Sequence, residues 1–219
     1  MKAAAKKSEH MTSLSGTRLV PKTHGRIVFR GLIDSLQAEV IKAQVTAASP
    51  GNGVNCNGTA DSAEAEICGS LGEILDCLRA LMSAEVRETP LPPPFLFGMD
   101  AEELHRQSHN TEKIFGASLL PSYTQGPLAA KLNTLRAKTR EAEIVAVKVF
   151  GPPQSSIAGN QAVTNQTGDI PIDGDESGSH SRDDIILALN RLSSAFWWLY
   201  CKYVSTKNTL QGSDKSGRE

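Results

Sequence analysis

The chain has 219 residues, with 23 Lys and Arg against 24 Asp and Glu, and a net charge of −1. This length is typical of one domain with terminal segments. The balanced charge excludes the basic surplus of a nucleic-acid-binding protein, so no nucleic-acid partner is expected. The sequence contains no run of 18 apolar residues. It therefore predicts no membrane-spanning helix and no membrane partner.

The N-terminus and the cysteines indicate where the protein works. The first residues are basic, but no apolar stretch follows them, which is not typical of a secretory signal. None of the four cysteines belongs to a Cys-x-x-Cys pair; they are Cys56, Cys68, Cys77 and Cys201. This pattern indicates reduced thiols in a cytoplasmic protein rather than a disulfide framework or a zinc site.

Apolar residues recur at intervals of three and four in four segments, near residues 29–40, 67–81, 128–149 and 185–203. This spacing predicts four long helices, each with one buried face. A short fifth helix is predicted at 100–109, because Asp100 is a favourable N-cap and Glu103 completes a capping-box pattern. No segment alternates with period two for long enough to predict a sheet. The predicted fold is an all-α bundle of four long helices and one short helix.

Polar segments set the expected limits of the bundle. Residues 49–62 and 151–181 are rich in Gly, Asn and Ser and bury too little apolar surface to order themselves. The predicted domain therefore covers residues 26–206, with a disordered insertion at about 151–181. Residues 1–25 are expected to form a flexible N-terminal segment, and residues 207–219 a frayed tail.

Polar side chains lie beside the apolar faces of the last two helices. Arg136, Arg140 and Glu143 are spaced i, i+4 and i+7, so they share one helix face. Two arginines there could hold a polyphosphate, since each guanidinium presents a fork of donors, or they could form an exposed ion-pair face. Asn190 and Arg191 lie just off the apolar face of the last helix, where they could cap a neighbouring loop or contact a ligand.

Two histidines on the predicted short helix are candidate metal ligands. His105 and His109 are four residues apart, and Glu102 precedes them, so one helix face could present two imidazoles and a carboxylate. A di-iron bundle needs two Glu-x-x-His helices, and the sequence has only one. Hydrogen bonding or capping is therefore the favoured role of both rings, which remain weak metal candidates.

Four blocks of the sequence resemble a known family. The strings AEELHRQSH (101–109), LNTLRAKTREAE (132–143) and ALNRLSS (188–194) are similar to the EutT-type corrinoid adenosyltransferases of ethanolamine utilisation. The string LSGTRLVPKTHGRIVFRGLIDSL (14–36) resembles the region where the helical domain of that family begins. The blocks stand in the family's order. They also resemble, more loosely, the PduO-type cobalamin adenosyltransferases.

The resemblance implies an activity. These enzymes transfer the 5′-deoxyadenosyl group of ATP to the cobalt of a reduced corrinoid, which gives adenosylcobalamin. ATP with Mg²⁺ and cob(II)alamin or cob(I)alamin would be the substrates, and an electron donor would reduce the cobalt. Cobalt(I) is itself the nucleophile, so no catalytic nucleophile of the protein is expected. The resemblance implies a cytoplasmic enzyme, with or without association with a bacterial microcompartment.

The resemblance also implies an ATP site of seven residues, which are Thr12, Ser13, Lys22, Arg140, Glu143, Asn190 and Arg191. The first two match the end of a phosphate-binding loop, of which a partial remnant is expected within residues 1–25. The lysine matches a Lys before the family's first helix. The next two match the ATP-binding RRAER stretch, and the last two match the motif LNRLSD.

A subunit interface is implied in the same way. Asp34 matches an Asp that pairs across the interface in the family, and Arg136 is its expected partner. The ATP site would then lie between subunits of a homo-oligomer, a trimer by analogy with the PduO type. Tyr123 stands nearest to the position of the aromatic residue that faces the corrinoid in PduO-type enzymes.

Several positions depart from the family's pattern. Glu141 replaces the second Arg of RRAER, Ser194 replaces the Asp of LNRLSD, and the glycines of the phosphate-binding loop are missing. The sequence also lacks the Cys-Cys-x-x-Cys metal motif of EutT-type proteins, so no tightly bound protein metal is expected. These departures leave two alternatives open: a non-catalytic carrier of adenosylcobalamin and a structural helical oligomer.

Overall fold

The computed structural model describes residues 8–48, 63–116, 120–152 and 181–215. Two strands come first, β1 (Met11–Ser15) and β2 (Arg18–Pro21), followed by six helices. The helices of the described residues are α1 (Gly25–Ala47), α2 (Ala63–Arg87), α3 (Ala101–His109), α4 (Thr111–Phe115), α5 (Pro127–Phe150) and α6 (Asp183–Lys215). A single 3-10 turn, Tyr123–Gln125, precedes α5.

The four long helices form a bundle, which confirms the predicted all-α fold. Helix α5 packs against α1 and α6, and α2 packs against the same two helices. The rings of Phe29 and Phe150 meet edge to face at 5.0 Å, which joins the start of α1 to the end of α5. The backbone N–H of Arg182 donates to the Phe150 carbonyl at 3.1 Å, so α6 begins where α5 ends. Helices α5 and α6 are therefore antiparallel neighbours.

The core consists of the apolar positions that the periodicity predicted. On α2, for example, five side chains are at most 1% exposed, namely Ile67, Leu71, Ile74, Leu78 and Leu81. Burial of a Leu or Ile side chain contributes about 1.5–3 kcal/mol. The spacing of these residues therefore determines which face of each helix turns inward.

Local sequence determines where two helices begin. The Asp100 carboxylate accepts from the backbone N–H groups of Glu102 and Glu103 at 3.1 and 2.8 Å, which confirms the predicted N-cap of α3. The Glu103 side chain does not complete the capping box, because it accepts from Gln107 Nε2 at 2.6 Å. Helix α5 starts with Pro127, whose missing N–H costs nothing in the first turn.

The prediction that the chain forms no sheet was wrong at the N-terminus. Strands β1 and β2 pair antiparallel as a hairpin, with Thr12 opposite Val20. Gly16 lies in the turn with φ +53°, a conformation that glycine adopts without strain. Within the two strands only Leu14 and Val20 are buried, which is too short an alternation for a sequence pattern to detect.

The five predicted helices are present, together with a second short helix. Helix α4 spans only Thr111–Phe115 and ends at Gly116, which has φ +78°. Five residues are too few for a hydrophobic period. At the other end of the chain, α6 continues through Lys215, into the segment 207–219 that was expected to be a tail.

The two predicted polar segments consist largely of residues that the structure does not describe. The predicted loop 49–62 and residues 153–180 of the predicted insertion lie outside the described residues. Among the helices that the structure describes, none is both long and apolar enough to cross a membrane.

Candidate functional site

A pocket of about 420 Å³ opens beside α5 and α6. Its other walls come from α3 and from the connector before α5, residues 120–126. Its lining residues are Ser108, His109, Leu120, Pro121, Arg136, Arg140, Ser193, Ser194 and Trp197. The volume falls within the range of small-molecule sites. Arg136 and Arg140 are one helical turn apart, so both guanidinium groups reach the same wall. Two arginines, three serines and a histidine suit a ligand that carries negative charge.

Three of the predicted ATP-binding residues form a hydrogen-bond network between α5 and α6. Asn190 Nδ2 donates to Glu143 Oε1 at 2.9 Å. Arg191 Nη1 donates to Asn190 Oδ1 at 2.6 Å. Arg140 precedes Glu143 by three residues on α5 and lines the pocket. The structure therefore joins three of the seven predicted residues directly and places Arg140 one turn from them on α5. Glu143 and Asn190 are 47 positions apart in sequence.

Arg191 extends this network to α3. Its side chain is only 10% exposed, with Nη1 3.4 Å from His105 Nδ1 and Nη2 3.5 Å from Glu102 Oε1. Its Nε atom is buried and has no hydrogen-bond partner among the described residues. Because a guanidinium only donates, His105 Nδ1 acts as the acceptor. Burial, followed by the charges of Arg191 and His109, lowers the pKa of His105.

The two histidines of α3 contact each other. The ring centroids of His105 and His109 are 4.3 Å apart, and His109 Nδ1 donates to the His105 carbonyl oxygen at 2.9 Å. Within the described part of the chain, no group of three or more His, Cys, Asp or Glu side chains is placed to hold a metal ion. The hydrogen bonds agree with the role that the sequence favoured for these rings.

The other three predicted residues belong to the hairpin. Thr12 and Ser13 lie on β1, and the Ser13 hydroxyl donates to the Gly16 carbonyl at 2.8 Å. Lys22 follows β2, and its side chain is exposed. Among the described residues, no hydrogen bond or ion pair connects these three side chains to the network of Glu143, Asn190 and Arg191. Within one chain, the two groups of predicted ATP-site residues are therefore not joined by a direct polar contact among the described residues.

A buried ion cluster joins α1 to α2 at the end of the bundle that lies next to the hairpin. This cluster was not predicted from the sequence. Glu85 on α2 is completely buried. It accepts from Arg26 Nε at 2.6 Å and from Arg30 Nε, both on α1. Arg26 also donates to Glu88 Oε1 at 2.7 Å. Although burial favours its neutral form, the hydrogen bonds and charges of Glu88 and Glu85 raise the pKa of Arg26.

Arg30 connects this cluster to the hairpin, because its Nη1 donates to the Leu14 carbonyl of β1 at 2.8 Å. The available sequence signal was the i, i+4 spacing of Arg26 and Arg30 on one face of α1. The carboxylate that neutralises them is 55 to 59 positions away, and no local pattern predicts a partner at that distance.

The predicted interface pair does not meet within one chain. Asp34 is exposed on α1. Arg136 donates to Asn133 Oδ1 at 3.1 Å, and its guanidinium lies 5.5 Å from the ring centroid of Trp197. The contact of Asp34 with Arg136 of another subunit stays a prediction.

Tyr123 is 92% exposed in the 3-10 turn and does not belong to the residues that line the pocket. The connector contributes Leu120 and Pro121 to the pocket wall instead. Gln125 holds this connector, because its Oε1 accepts from the Tyr200 hydroxyl of α6 at 2.5 Å and its Nε2 donates to the Leu120 carbonyl at 3.0 Å. Sequence reasoning missed this link, which joins residues 75 positions apart.

Comparison with known proteins agrees with the resemblance of the four sequence blocks. The chain is 31% identical over 194 residues to corrinoid adenosyltransferase EutT of Escherichia coli (strain K12). It is 28% identical over 193 residues to corrinoid adenosyltransferase EutT of Salmonella typhimurium (strain LT2). Each alignment covers 88% of this chain and 58% of the relative, so the chain spans less than two thirds of these relatives. No solved structure matches it. A sequence profile described as "Cobalamin adenosyltransferase" matches residues 3–203, and the chain therefore belongs to the cobalamin adenosyltransferase family.

Proposed function

We propose that the protein is an ATP:corrinoid adenosyltransferase that converts cob(I)alamin to adenosylcobalamin. Cobalt(I) attacks the 5′ carbon of ATP, the carbon–oxygen bond breaks, and the triphosphate leaves with the bonding electron pair. One observation carries the proposal. The pocket that contains Arg136 and Arg140 adjoins the Glu143–Asn190–Arg191 network, because the hydroxyl of Ser193 in its lining donates to the Asn190 carbonyl at 3.0 Å. Residues of both stand at positions that match two ATP-binding motifs of the family.

The protein's part in this reaction is to position the substrates and to stabilise the leaving group. The attacked carbon must lie in line with cobalt, and the negative charge that develops on the polyphosphate needs donors. In this proposal Arg140 donates to the phosphate oxygens, with Mg²⁺ bound to ATP as a further source of positive charge. Arg136 contributes a second guanidinium to the same pocket wall.

The network of Glu143 fixes the orientation of Asn190. The carboxylate accepts from the Asn190 amide nitrogen, which leaves the amide oxygen directed to Arg191 Nη1. Arg191 in turn contacts His105, whose pKa is lowered by burial and by the neighbouring guanidinium. These contacts restrict Asn190 and Arg191 to one geometry, as a nucleotide-binding residue pair requires.

The hairpin residues complete the site from another copy of the chain. Thr12, Ser13 and Lys22 would meet the phosphates bound by Arg140 of a neighbouring subunit in a homotrimer. Two observations support this arrangement: the lack of a direct polar contact between the two groups among the described residues of one chain, and the exposure of Asp34 on α1. The proposal further includes an external electron donor for cobalt, and a role in ethanolamine utilisation in the cytoplasm, where the protein would meet the microcompartment.

The ATP-dependent spectrum of bound cob(II)alamin tests this function. Purified protein is titrated with Mg²⁺-ATP under anaerobic conditions in the presence of cob(II)alamin. We expect the cobalt spectrum to shift toward the four-coordinate form as ATP binds. Because Arg140→Ala removes a charge-assisted contact worth about 1.5–3 kcal/mol, half-saturation should require roughly 10- to 150-fold more ATP.

Lys138→Ala is the matched control, since Lys138 is a cation of the same helix that does not line the pocket. We expect it to titrate like the wild-type protein. A wild-type spectrum that does not respond to ATP contradicts the proposed function. Equal titrations of Arg140→Ala and Lys138→Ala exclude Arg140 from the ATP site.

A further inference from the structure

Two arginines of α1 share one buried carboxylate, but their other contacts differ. Glu85 is 0% exposed and accepts from the Nε atoms of both Arg26 and Arg30. The remaining contacts of Arg26 stay on α2 and the turn after it, with the Glu85 carbonyl at 2.9 Å and with Glu88 Oε1 at 2.7 Å. Arg30 alone of the two donates to the hairpin, through Nη1 to the Leu14 carbonyl at 2.8 Å.

The hairpin presents this carbonyl through an irregularity in its register. Ser13 pairs with Leu19 and Ser15 pairs with Arg18, so Leu14 between them has no partner in the ladder. A bulge of this kind bends a strand and redirects its groups. The Leu14 side chain is 2% exposed, and the Leu14 carbonyl accepts from the Arg30 guanidinium. Burial of the side chain and this hydrogen bond together hold the bulge in place.

From this geometry we infer that Arg30 is a positioning residue for the phosphate-binding hairpin. Because Arg30 binds both buried Glu85 and the Leu14 carbonyl, it fixes the backbone of β1 relative to α2. Leu14 is adjacent to Ser13 and two residues from Thr12. The inference rests on the proposed function, in which the hairpin meets the ATP phosphates. Arg30 itself does not contact the substrate and acts through the hairpin.

The chemistry of arginine explains why a lysine would not serve. A guanidinium donates from Nε and from Nη1 in two fixed directions, here to a carboxylate and to a carbonyl. An ammonium group on a flexible stem keeps the positive charge beside Glu85 but does not hold both acceptors in that geometry. Arg30→Lys therefore retains the ion pair and loosens the hairpin, whereas Arg26→Lys retains the ion pair and leaves the hairpin contact intact.

The test compares Arg30→Lys with Arg26→Lys as the matched control. Because ground-state contacts to the phosphates are weakened, we expect Arg30→Lys to raise the KM for ATP about tenfold, with kcat and the KM for corrinoid within about twofold of wild type. Hydrogen exchange of the Met11–Pro21 amides should become faster in this variant only. Arg26→Lys should leave the ATP kinetics and the exchange of the hairpin unchanged.

Calorimetric titration of ATP without corrinoid separates this inference from the proposed function. If the wild-type protein forms no adenosylcobalamin, the proposed function fails, and ATP affinity together with hairpin exchange still decides the role of Arg30. Equal effects of the two variants on ATP affinity, or unchanged hairpin exchange in Arg30→Lys, overturn the inference.

If Arg30→Lys does not fold, a second variant tests the same inference. The double variant Arg30→Gln/Glu85→Gln removes one charge of each sign and leaves Arg26 its pair with Glu88. We expect the same increase in hairpin exchange and the same loss of ATP affinity from it. Wild-type values for both quantities overturn the inference as well.

Discussion

Glu85 is a carboxylate without exposed surface, and its charge is balanced by two guanidinium groups. Removal of one side of a buried ion pair leaves uncompensated charge in a medium of low polarity, at a cost of about 3–5 kcal/mol. We therefore expect Glu85→Ala to lower the free energy of unfolding by that amount in urea denaturation. Asp76→Ala, which removes an exposed carboxylate of the same helix, should change it by less than about 0.5 kcal/mol. Similar urea midpoints for both variants contradict this role of Glu85.

The imidazole of His105 makes stability depend on pH. Burial and the charge of Arg191 lower its pKa, so near the ordinary pKa of about 6.5 the unfolded chain binds more protons than the folded chain. Stability should therefore decrease as pH falls below about 6.5. We expect the wild-type protein to lose more thermal stability than His105→Gln between about pH 7.5 and about pH 5.5. Parallel losses in the two proteins contradict the assignment.

The thiols of Cys77, which is partly buried, and Cys201, which is buried, give a chemical prediction. Burial raises the pKa of Cys77 to about 11, and that of Cys201 to about 11 despite an opposing hydrogen bond from Thr111. Only the thiolate reacts with alkylating reagents. We expect mass spectrometry to find both cysteines unmodified after brief treatment of the native protein near pH 8, and modified after treatment in denaturant. Rapid native labelling of either residue would contradict the burial that raises its pKa.

The elements differ in how far the sequence predicts them. The long helices follow from periodicity, because each buries one face and its apolar residues must recur every three to four positions. The start of α3 follows from the capping carboxylate of Asp100. The hairpin and α4 do not follow, because they are short and their stability depends on distant contacts, such as Arg30 to the Leu14 carbonyl.

The candidate site also contains some residues that the sequence predicts and others that it does not. Family motifs indicated Glu143 and Asn190, which the structure joins by a hydrogen bond, because both stand within recognisable strings. Their role in ATP binding stays a prediction. The Arg30–Glu85 ion pair and the Gln125–Tyr200 hydrogen bond join residues 55 and 75 positions apart, and a sequence pattern carries no signal for such pairs. Tyr123, placed by analogy as corrinoid-facing, is exposed, while Leu120 and Pro121 of the same connector line the pocket.

The connector before α5 offers a test at the scale of an element. The Tyr200 hydroxyl donates to Gln125, which also accepts from Ser122 N–H at 2.8 Å and donates to the Leu120 carbonyl. Tyr200→Phe removes only this hydroxyl, at a cost of about 0.5–1.5 kcal/mol. We expect faster hydrogen exchange of the Leu120–Gln125 amides and weaker ATP binding, because Leu120 and Pro121 line the pocket that contains Arg136 and Arg140. Unaltered exchange in this segment contradicts a role for the hydroxyl in holding the pocket wall.

The proposed ATP site requires more than one copy of the chain. The exposed carboxylate of Asp34 should pair with Arg136 of a neighbouring subunit. We expect Asp34→Asn to dissociate at protein concentrations where the wild-type protein remains an oligomer in light scattering. Asp76→Asn, which neutralises another exposed aspartate, is the control. Equal masses for wild type and Asp34→Asn at all concentrations contradict the pairing.

Adenosyl transfer is the proposed activity, and the formation of adenosylcobalamin is its direct test. The protein is mixed anaerobically with Mg²⁺-ATP, cob(II)alamin and a strong reductant, and adenosylcobalamin is followed by its loss on exposure to light. We expect light-sensitive product in proportion to enzyme and time, strongly reduced by Arg140→Ala and not by Lys138→Ala. Absence of product from wild-type protein, with cob(I)alamin and ATP both present, would contradict it.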